Sequence, residues 1–106
     1  MTSLREEQLE ELVLQSELLT LVSLGKESLG SSYLLRQRLQ ILEARYPDQL
    51  ICYHLEVAPS SSILSNFNIA YLPSLLVFQG GELIEQCQAS LPLDVLDLKV
   101  KLLITR

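Results

Sequence analysis

Apolar residues are spaced along the first half of the chain in patterns that predict helix, strand and helix in turn. Residues 3–15 place leucines and a valine near helical spacing with glutamates between them, which predicts a helix capped by Ser3. The continuous apolar run over 18–24, LLTLVSL, predicts a strand buried on both faces, as in a parallel sheet. Apolar residues then recur at i, i+4, i+7 and i+11 from Leu35, which predicts a helix over 33–45. Its start follows serines, of which Ser31 or Ser32 is expected to cap it.

The second half of the chain predicts a strand, a short helix and a β-hairpin. The predicted strand covers 50–57, and the predicted short helix covers 61–67. Two β-prone runs, 74–79 and 82–87, flank a Gly-Gly pair. Glycine adopts the positive φ values of a tight hairpin turn without strain, so this pair predicts a two-residue turn.

The final segment, residues 91–104, fits two structures. Its apolar residues alternate over LDLKVKLLI, as in a strand, but they also form one side of a helix. Ser90 as a cap and Pro92 in the first turn favour the helix. The chain therefore predicts one α/β domain over residues 1–106, with parallel strands from a right-handed crossover and antiparallel strands from the hairpin.

Composition narrows the possible functions. The chain has 106 residues, of which 48% are apolar, enough for one core. Its net charge of -5 argues against a nucleic-acid partner, which a basic face would bind. The chain shows neither a secretory signal nor an apolar run that would cross a membrane, so we expect a cytoplasmic protein. The only histidine, His54, and the two cysteines, Cys52 and Cys87, fit no metal-binding pattern, so neither a metal nor a cofactor is expected.

The segment over 67–84, FNIAYLPSLLVFQGGELI, resembles the cis-proline region of the thioredoxin family. The positions that carry the resemblance are Phe67, Ile69, Leu72, Pro73 and Ser74. The resemblance covers residues 18–104 and implies a thioredoxin-like fold, a central four-stranded mixed sheet flanked by helices. It also implies a cis Leu72–Pro73 bond.

The resemblance also shows what this chain lacks. The family's Cys-x-x-Cys loop falls on SLGS, so Ser28 and Ser31 stand where the family has its redox pair. The family's buried acid falls at Val22, and the chain has no tryptophan to precede the first cysteine. Serine cannot exchange disulfides, so the resemblance implies a redox-inactive protein and no enzymatic activity.

The two cysteines are not expected to replace the missing pair. The strand order that the resemblance implies puts Cys52 and Cys87 on opposite edges of the sheet, roughly 14 Å apart at ~4.8 Å per strand. A disulfide needs Cα atoms within about 7 Å. Both thiols are expected to behave as small hydrophobic groups, with Cys87 the better candidate for exposure.

The expected site is a rim of loops that binds another protein or an extended peptide. In the implied fold three loops converge beside the cis proline, and their apolar residues suit a protein contact. The residues assigned to this groove are Ser28, Leu29, Gly30, Ser31, Tyr71, Leu72, Pro73 and Leu91. The function expected is that of an adaptor, assembly factor or chaperone-like module. Self-association through an over-apolar final segment, giving a homodimer, is a competing contact.

Two enzymatic alternatives remain at the sequence level. A hydrolase using Ser28 or Ser31 would need a base, and His54 lies on a different strand with no evident acid. A glutathione- or thiol-dependent transferase or oxidoreductase could use the Ser28–Ser31 loop and Pro73, with an anion held at the start of the second helix near Arg36 and Arg38.

Overall fold

The computed structural model describes residues 1–25 and 30–105, apart from the side chain of Ser31. Its strands are β1 (Thr2–Leu4), β2 (Leu19–Gly25), β3 (Leu50–Glu56), β4 (Ser74–Gln79) and β5 (Glu82–Gln88). Its α-helices are α1 (Gly30–Arg45), α2 (Ser62–Asn66) and α3 (Leu93–Ile104). A 3-10 helix, Glu6–Gln8, and a π-helix, Leu9–Leu14, connect β1 to β2.

The strands form one mixed sheet in the order β1-β3-β2-β4-β5. β1 and β2 both pair parallel to β3, whereas β4 pairs antiparallel to β2 and β5 antiparallel to β4. Residues of the central β2 are all buried, as its continuous apolar run predicts. The predicted α/β class is confirmed, but the sheet has five strands among the described residues rather than the predicted four.

The additional strand lies where the sequence predicts the start of a helix. Ser3 pairs opposite His54 in the β1–β3 ladder, so the prediction that Ser3 caps a helix is wrong. β1 is only three residues long, too short to show alternation, and the glutamates after it give a stronger helical signal. The helical spacing itself persists further on, since Leu9 and Val13 of the π-helix are buried.

Two apolar cores lie on opposite faces of the sheet, because successive side chains of a strand point to opposite faces. Leu35, Leu39 and Leu42 of α1 pack into the first core together with Leu96 and Val100 of α3. The π-helix and α2 cover the other face, where their core residues are Leu9, Val13 and Ile63. Nowhere in residues 1–25 and 30–105 is a helix long and apolar enough to cross a bilayer.

The start of α1 differs from the sequence prediction. The helix begins at Gly30, so Ser31 and Ser32 lie in its first turn and neither is its cap. The final segment is a helix rather than an edge strand, but it begins at Leu93, with Pro92 rather than Ser90 at the capping position.

The hairpin follows the sequence prediction closely. β4 has the predicted bounds, and both turn glycines have positive φ, 61° at Gly80 and 81° at Gly81. A β-carbon at Gly81 would lie 2.1 Å from the carbonyl oxygen of Leu14 at the end of the π-helix. The turn therefore packs directly against the π-helix.

Candidate functional site

The predicted cis bond between Leu72 and Pro73 is confirmed. It lies immediately before β4, at the end of a loop that begins after α2. Asn68 has a φ of 54°, which asparagine tolerates better than most residues. The backbone N–H of Ile69 donates to the carbonyl of Leu64 at 2.8 Å, which holds the loop against α2.

Three elements converge at the proline. Gly25 ends β2, and a β-carbon at this position would lie 3.1 Å from Cβ of Pro73 and 2.5 Å from Oγ of Ser32. Such distances are too short for a side chain. Because Gly25 has no side chain, the end of β2 can contact both the first turn of α1 and the proline loop.

Ser32 is the described serine that lies at this junction. Its side chain is fully buried, and its hydroxyl has no hydrogen-bond partner among the described residues. The sequence predicts Ser32 only as a helix cap, and no sequence signal marks it as a site residue. Ser28 and Leu29 lie outside the described residues, as does the side chain of Ser31, so the structure does not test their assigned roles.

Tyr71 and Leu72 lie together at the tip of the proline loop. Tyr71 is 42% exposed, whereas Leu72 is half-buried against the core beneath α2. Both line an open hollow of about 230 Å³. Its other lining residues are Pro59, Leu64, Ile69 and Ala70.

Leu91 lies away from these two side chains. It is half-buried against the core under α1 and α3, on the opposite face of the sheet from Leu72. Its carbonyl accepts a hydrogen bond from Nη1 of Arg38 at 3.1 Å. Gly30 is exposed at the first position of α1. Among the described residues of the predicted rim, Tyr71, Leu72 and Pro73 are therefore the ones that form a local group.

The backbone of residues 70–72 is the second feature of this loop. It makes no hydrogen bond to any other part of the chain that the structure describes. Backbone N–H and C=O groups require partners when they are buried. An extended chain that covered this stretch would therefore find donors and acceptors ready for strand-like pairing.

Both cysteines are free and buried, on strands separated by β2 and β4. Cys87 is 5% exposed and Cys52 is fully buried, so the prediction that both thiols are small buried groups is confirmed, and the alternative of an exposed Cys87 is not. The prediction that the strand of Cys52 lies at an edge is wrong, because β1 covers β3 there. Burial, reinforced by the Glu85 carboxylate, raises the pKa of Cys87 to about 11. Burial and Glu43 likewise raise the pKa of Cys52.

These environments predict inert thiols in the folded protein. At pH 8 a thiol-specific chromogenic disulfide should react with Cys52 and Cys87 at least about 100-fold more slowly than in denaturant, because attack needs an accessible thiolate. Release of two equivalents of chromophore on unfolding provides the internal calibration. Rapid reaction of either thiol under native conditions would contradict this prediction.

His54 and Ser23 form the polar pair inside the sheet. Nδ1 of His54 lies 3.2 Å from Oγ of Ser23, and both side chains are buried. The pair has no exposed face from which a substrate could be attacked. Across residues 1–25 and 30–105, no three His, Cys, Asp or Glu side chains cluster in a way that could hold a metal ion.

The two arginines considered for anion binding have local contacts of their own. Arg38 donates to the carbonyls of Leu91, at 3.1 Å, and Ala89, at 3.5 Å, which joins α1 to the segment before α3. The guanidinium carbon of Arg36 lies 6.0 Å from the centre of the Tyr33 ring. The described geometry therefore adds nothing in favour of a glutathione site.

Neither a known protein-family model nor a curated protein sequence matches this chain.

Proposed function

We propose that this protein is a redox-inactive, thioredoxin-like binding module that holds another protein by an extended segment laid along residues 70–72. In this role it would act as an adaptor, an assembly factor or a chaperone-like protein. The thioredoxin-like assignment rests on the segment over 67–84, and the serines at the family's cysteine positions support the absence of redox activity.

The observation that carries the proposal is the proline loop itself. Its backbone over 70–72 lacks hydrogen bonds to the described chain, and Tyr71 projects beside an apolar hollow. An extended peptide gains affinity from backbone pairing and selectivity from a pocket for one side chain. The loop offers both features within a few residues.

The absence of redox chemistry is supported by the thiols. Cys52 and Cys87 are buried and lie on strands that are not neighbours, and burial favours the neutral thiol at each. A thiol–disulfide exchange centre needs an accessible thiolate with a second thiol in reach. The proposal therefore assigns to this fold a binding role that does not depend on cysteine.

Tyr71→Ser should reduce capture of partner protein from a lysate of the native host at least about tenfold, because an exposed tyrosine at the centre of a contact often contributes over 2 kcal/mol. Thermal unfolding should stay nearly unchanged, since Tyr71 is 42% exposed. Capture would be quantified by mass spectrometry against immobilised wild-type protein.

Leu98→Ser is the matched control for this experiment. Leu98 is 55% exposed on α3, far along the chain from the proline loop, so its replacement should leave capture unchanged. Equal capture by wild type and Tyr71→Ser would reject the proposed surface. Saturable binding of glutathione, without protein capture, would instead favour the transferase alternative.

A further inference from the structure

The outward side of α3 carries an apolar stripe. Val95, Leu98 and Leu102 follow one another at spacings of three and four residues, which places them on one side of the helix. Leu102 and Leu98 are the most exposed large apolar side chains that the structure describes, at 58% and 55%. The opposite side of α3, with Leu96 and Val100, packs into the first core. A helix that is apolar on both sides is normally covered on both, so the α3 stripe is a surface suited to a further contact.

Two opposite charges lie along one flank of the α3 stripe. Asp94 in the first turn and Lys101 in the last turn are seven residues apart, so they lie on the same side of the helix, and both are exposed. Lys101 approaches the carboxylate of Asp97 only to 3.9 Å. On the other flank, Lys99 is paired with Glu85 at 2.5 Å. The stripe is therefore bordered by an acid at its N-terminal end and by a base at its C-terminal end.

We infer that α3 pairs with α3 of a second copy of this chain, antiparallel and about a twofold axis beside Leu98. Asp94 and Lys101 lie four and three residues from Leu98 on either side, so Asp94 of each copy lies beside Lys101 of the other. The same register brings the two Leu98 side chains together and sets Val95 of each copy against Leu102 of the other. Every contact occurs twice, which is the self-complementarity that a twofold interface requires.

The charges of the α3 stripe favour a second copy as its partner. A helix with an acid at one end and a base at the other is complementary in charge to an antiparallel copy of itself, whereas a parallel copy would set like charges level with each other. α3 contains two aspartates and two lysines, so the contact brings no net charge together, although the chain has a net charge of -5.

The acidic segment over 5–17 lies away from this contact. It contains five glutamates and one arginine, and its residues Leu9 and Val13 pack into the second core. α3 packs into the first core, on the other face of the sheet. Pairing through α3 therefore keeps the two acidic segments on the far sides of the dimer, where their mutual repulsion is weakest.

One helix pair buries less than the ~800 Å² per partner of a standard interface, so the dimer should be reversible. Sedimentation equilibrium of the full chain should show a mass that rises from 12.0 kDa towards twice that value over a range of about 5 to 500 µM. A mass of one chain throughout that range would overturn the inference.

Substitution of apolar residues tests whether the contact lies on α3. Leu98→Ser should weaken dimerisation at least about tenfold, because Leu98 lies at the axis and its loss counts twice. Leu34→Ser is the matched control, since Leu34 is 50% exposed on α1. Tyr71→Ser should also leave the dimer intact, so this inference and the proposed peptide surface can fail separately. Loss of the dimer in Leu34→Ser but not in Leu98→Ser would reject the inference.

Exchange of charges tests the pairing of Asp94 with Lys101. Asp94→Lys sets two lysines beside each other at both ends of the dimer, and Lys101→Glu does the same with two acids. Each variant alone should dimerise about tenfold more weakly than wild type. An equimolar mixture of the two variants restores opposite charges at both ends and should recover wild-type affinity. Circular dichroism would confirm that each variant is folded, and a mixture no tighter than either variant alone would contradict the register.

Cross-linking tests the antiparallel orientation independently. In this register positions 98 of the two copies face each other, whereas positions 102 lie about 12 Å apart along the helix axis at 1.5 Å of rise per residue. A disulfide needs Cα atoms within about 7 Å. Leu98→Cys should therefore form a covalent dimer under mild oxidation, and Leu102→Cys should not. The reverse result would overturn the register, and the buried native thiols keep the background low.

Discussion

Gly81→Ala is expected to lower the free energy of unfolding by about 3 kcal/mol. Gly81 has a φ of 81°, and a residue with a side chain pays roughly 1–2 kcal/mol in this left-handed region. The added β-carbon would also lie 2.1 Å from the carbonyl oxygen of Leu14. Relieving such an overlap with backbone requires a shift of the turn or of the π-helix, which typically costs a further 1–3 kcal/mol.

Gly80→Ala is the matched control. Gly80 has a φ of 61°, but a β-carbon there meets no atom within 4 Å. The loss of stability in Gly80→Ala should therefore be limited to the cost of the left-handed backbone conformation, about 1 kcal/mol. Urea unfolding of both variants, compared with wild type, measures the difference. Equal losses of stability in Gly81→Ala and Gly80→Ala would show that a β-carbon at Gly81 does not overlap the carbonyl of Leu14.

The elements that the sequence predicts well are those whose local signals agree. In β4 and β5 the β-prone runs, the Gly-Gly turn and the pattern of burial all indicate a hairpin. In α1 the apolar spacing alone places Leu35, Leu39 and Leu42 in the core, where the structure confirms them. Because each of these signals acts over a few residues, no knowledge of tertiary contacts is needed.

The features that the sequence misses depend on contacts between distant segments. β1 exists because the edge of β3 accepts a strand, and three residues carry no pattern of their own. Ser32 lies beside the proline loop only because Gly25 and Pro73 approach it from elsewhere in the chain.

The candidate site was predicted in part for the same reason. The cis bond and the exposed Tyr71 belong to one continuous segment, so the residues of that segment were enough to predict the cis bond. Leu91 was assigned to the same rim from the order of loops alone. Its side chain packs instead on the core face opposite Leu72, which depends on how α3 lies against the sheet.

Val22→Asp is expected to bring the protein close to unfolding at pH 7. Val22 is fully buried on the central strand, paired beside Tyr53 and Leu76 in an apolar core. Burial without a partner raises the pKa of a carboxyl group by up to 3–5 units, so the folded state would hold the aspartate protonated. Keeping a group of ordinary pKa 3.9 protonated at pH 7 costs about 4 kcal/mol, a large share of the 5–15 kcal/mol that stabilises a typical domain.

The pH dependence of the free energy of unfolding separates the cost of protonating the buried carboxyl group from the cost of burying a polar group. The folded-state pKa of the introduced carboxyl lies above its unfolded value, so the penalty is small below pH 4 and grows as the pH rises towards 7. Val22→Asn buries a polar group of similar size that does not titrate, so its deficit relative to wild type should stay constant. Urea unfolding of the three proteins at pH 4 and pH 7 should show the two variants nearly equal at the lower pH and about 4 kcal/mol apart at the higher one. An unchanged difference would mean that a carboxylate at this position is stabilised in its charged form.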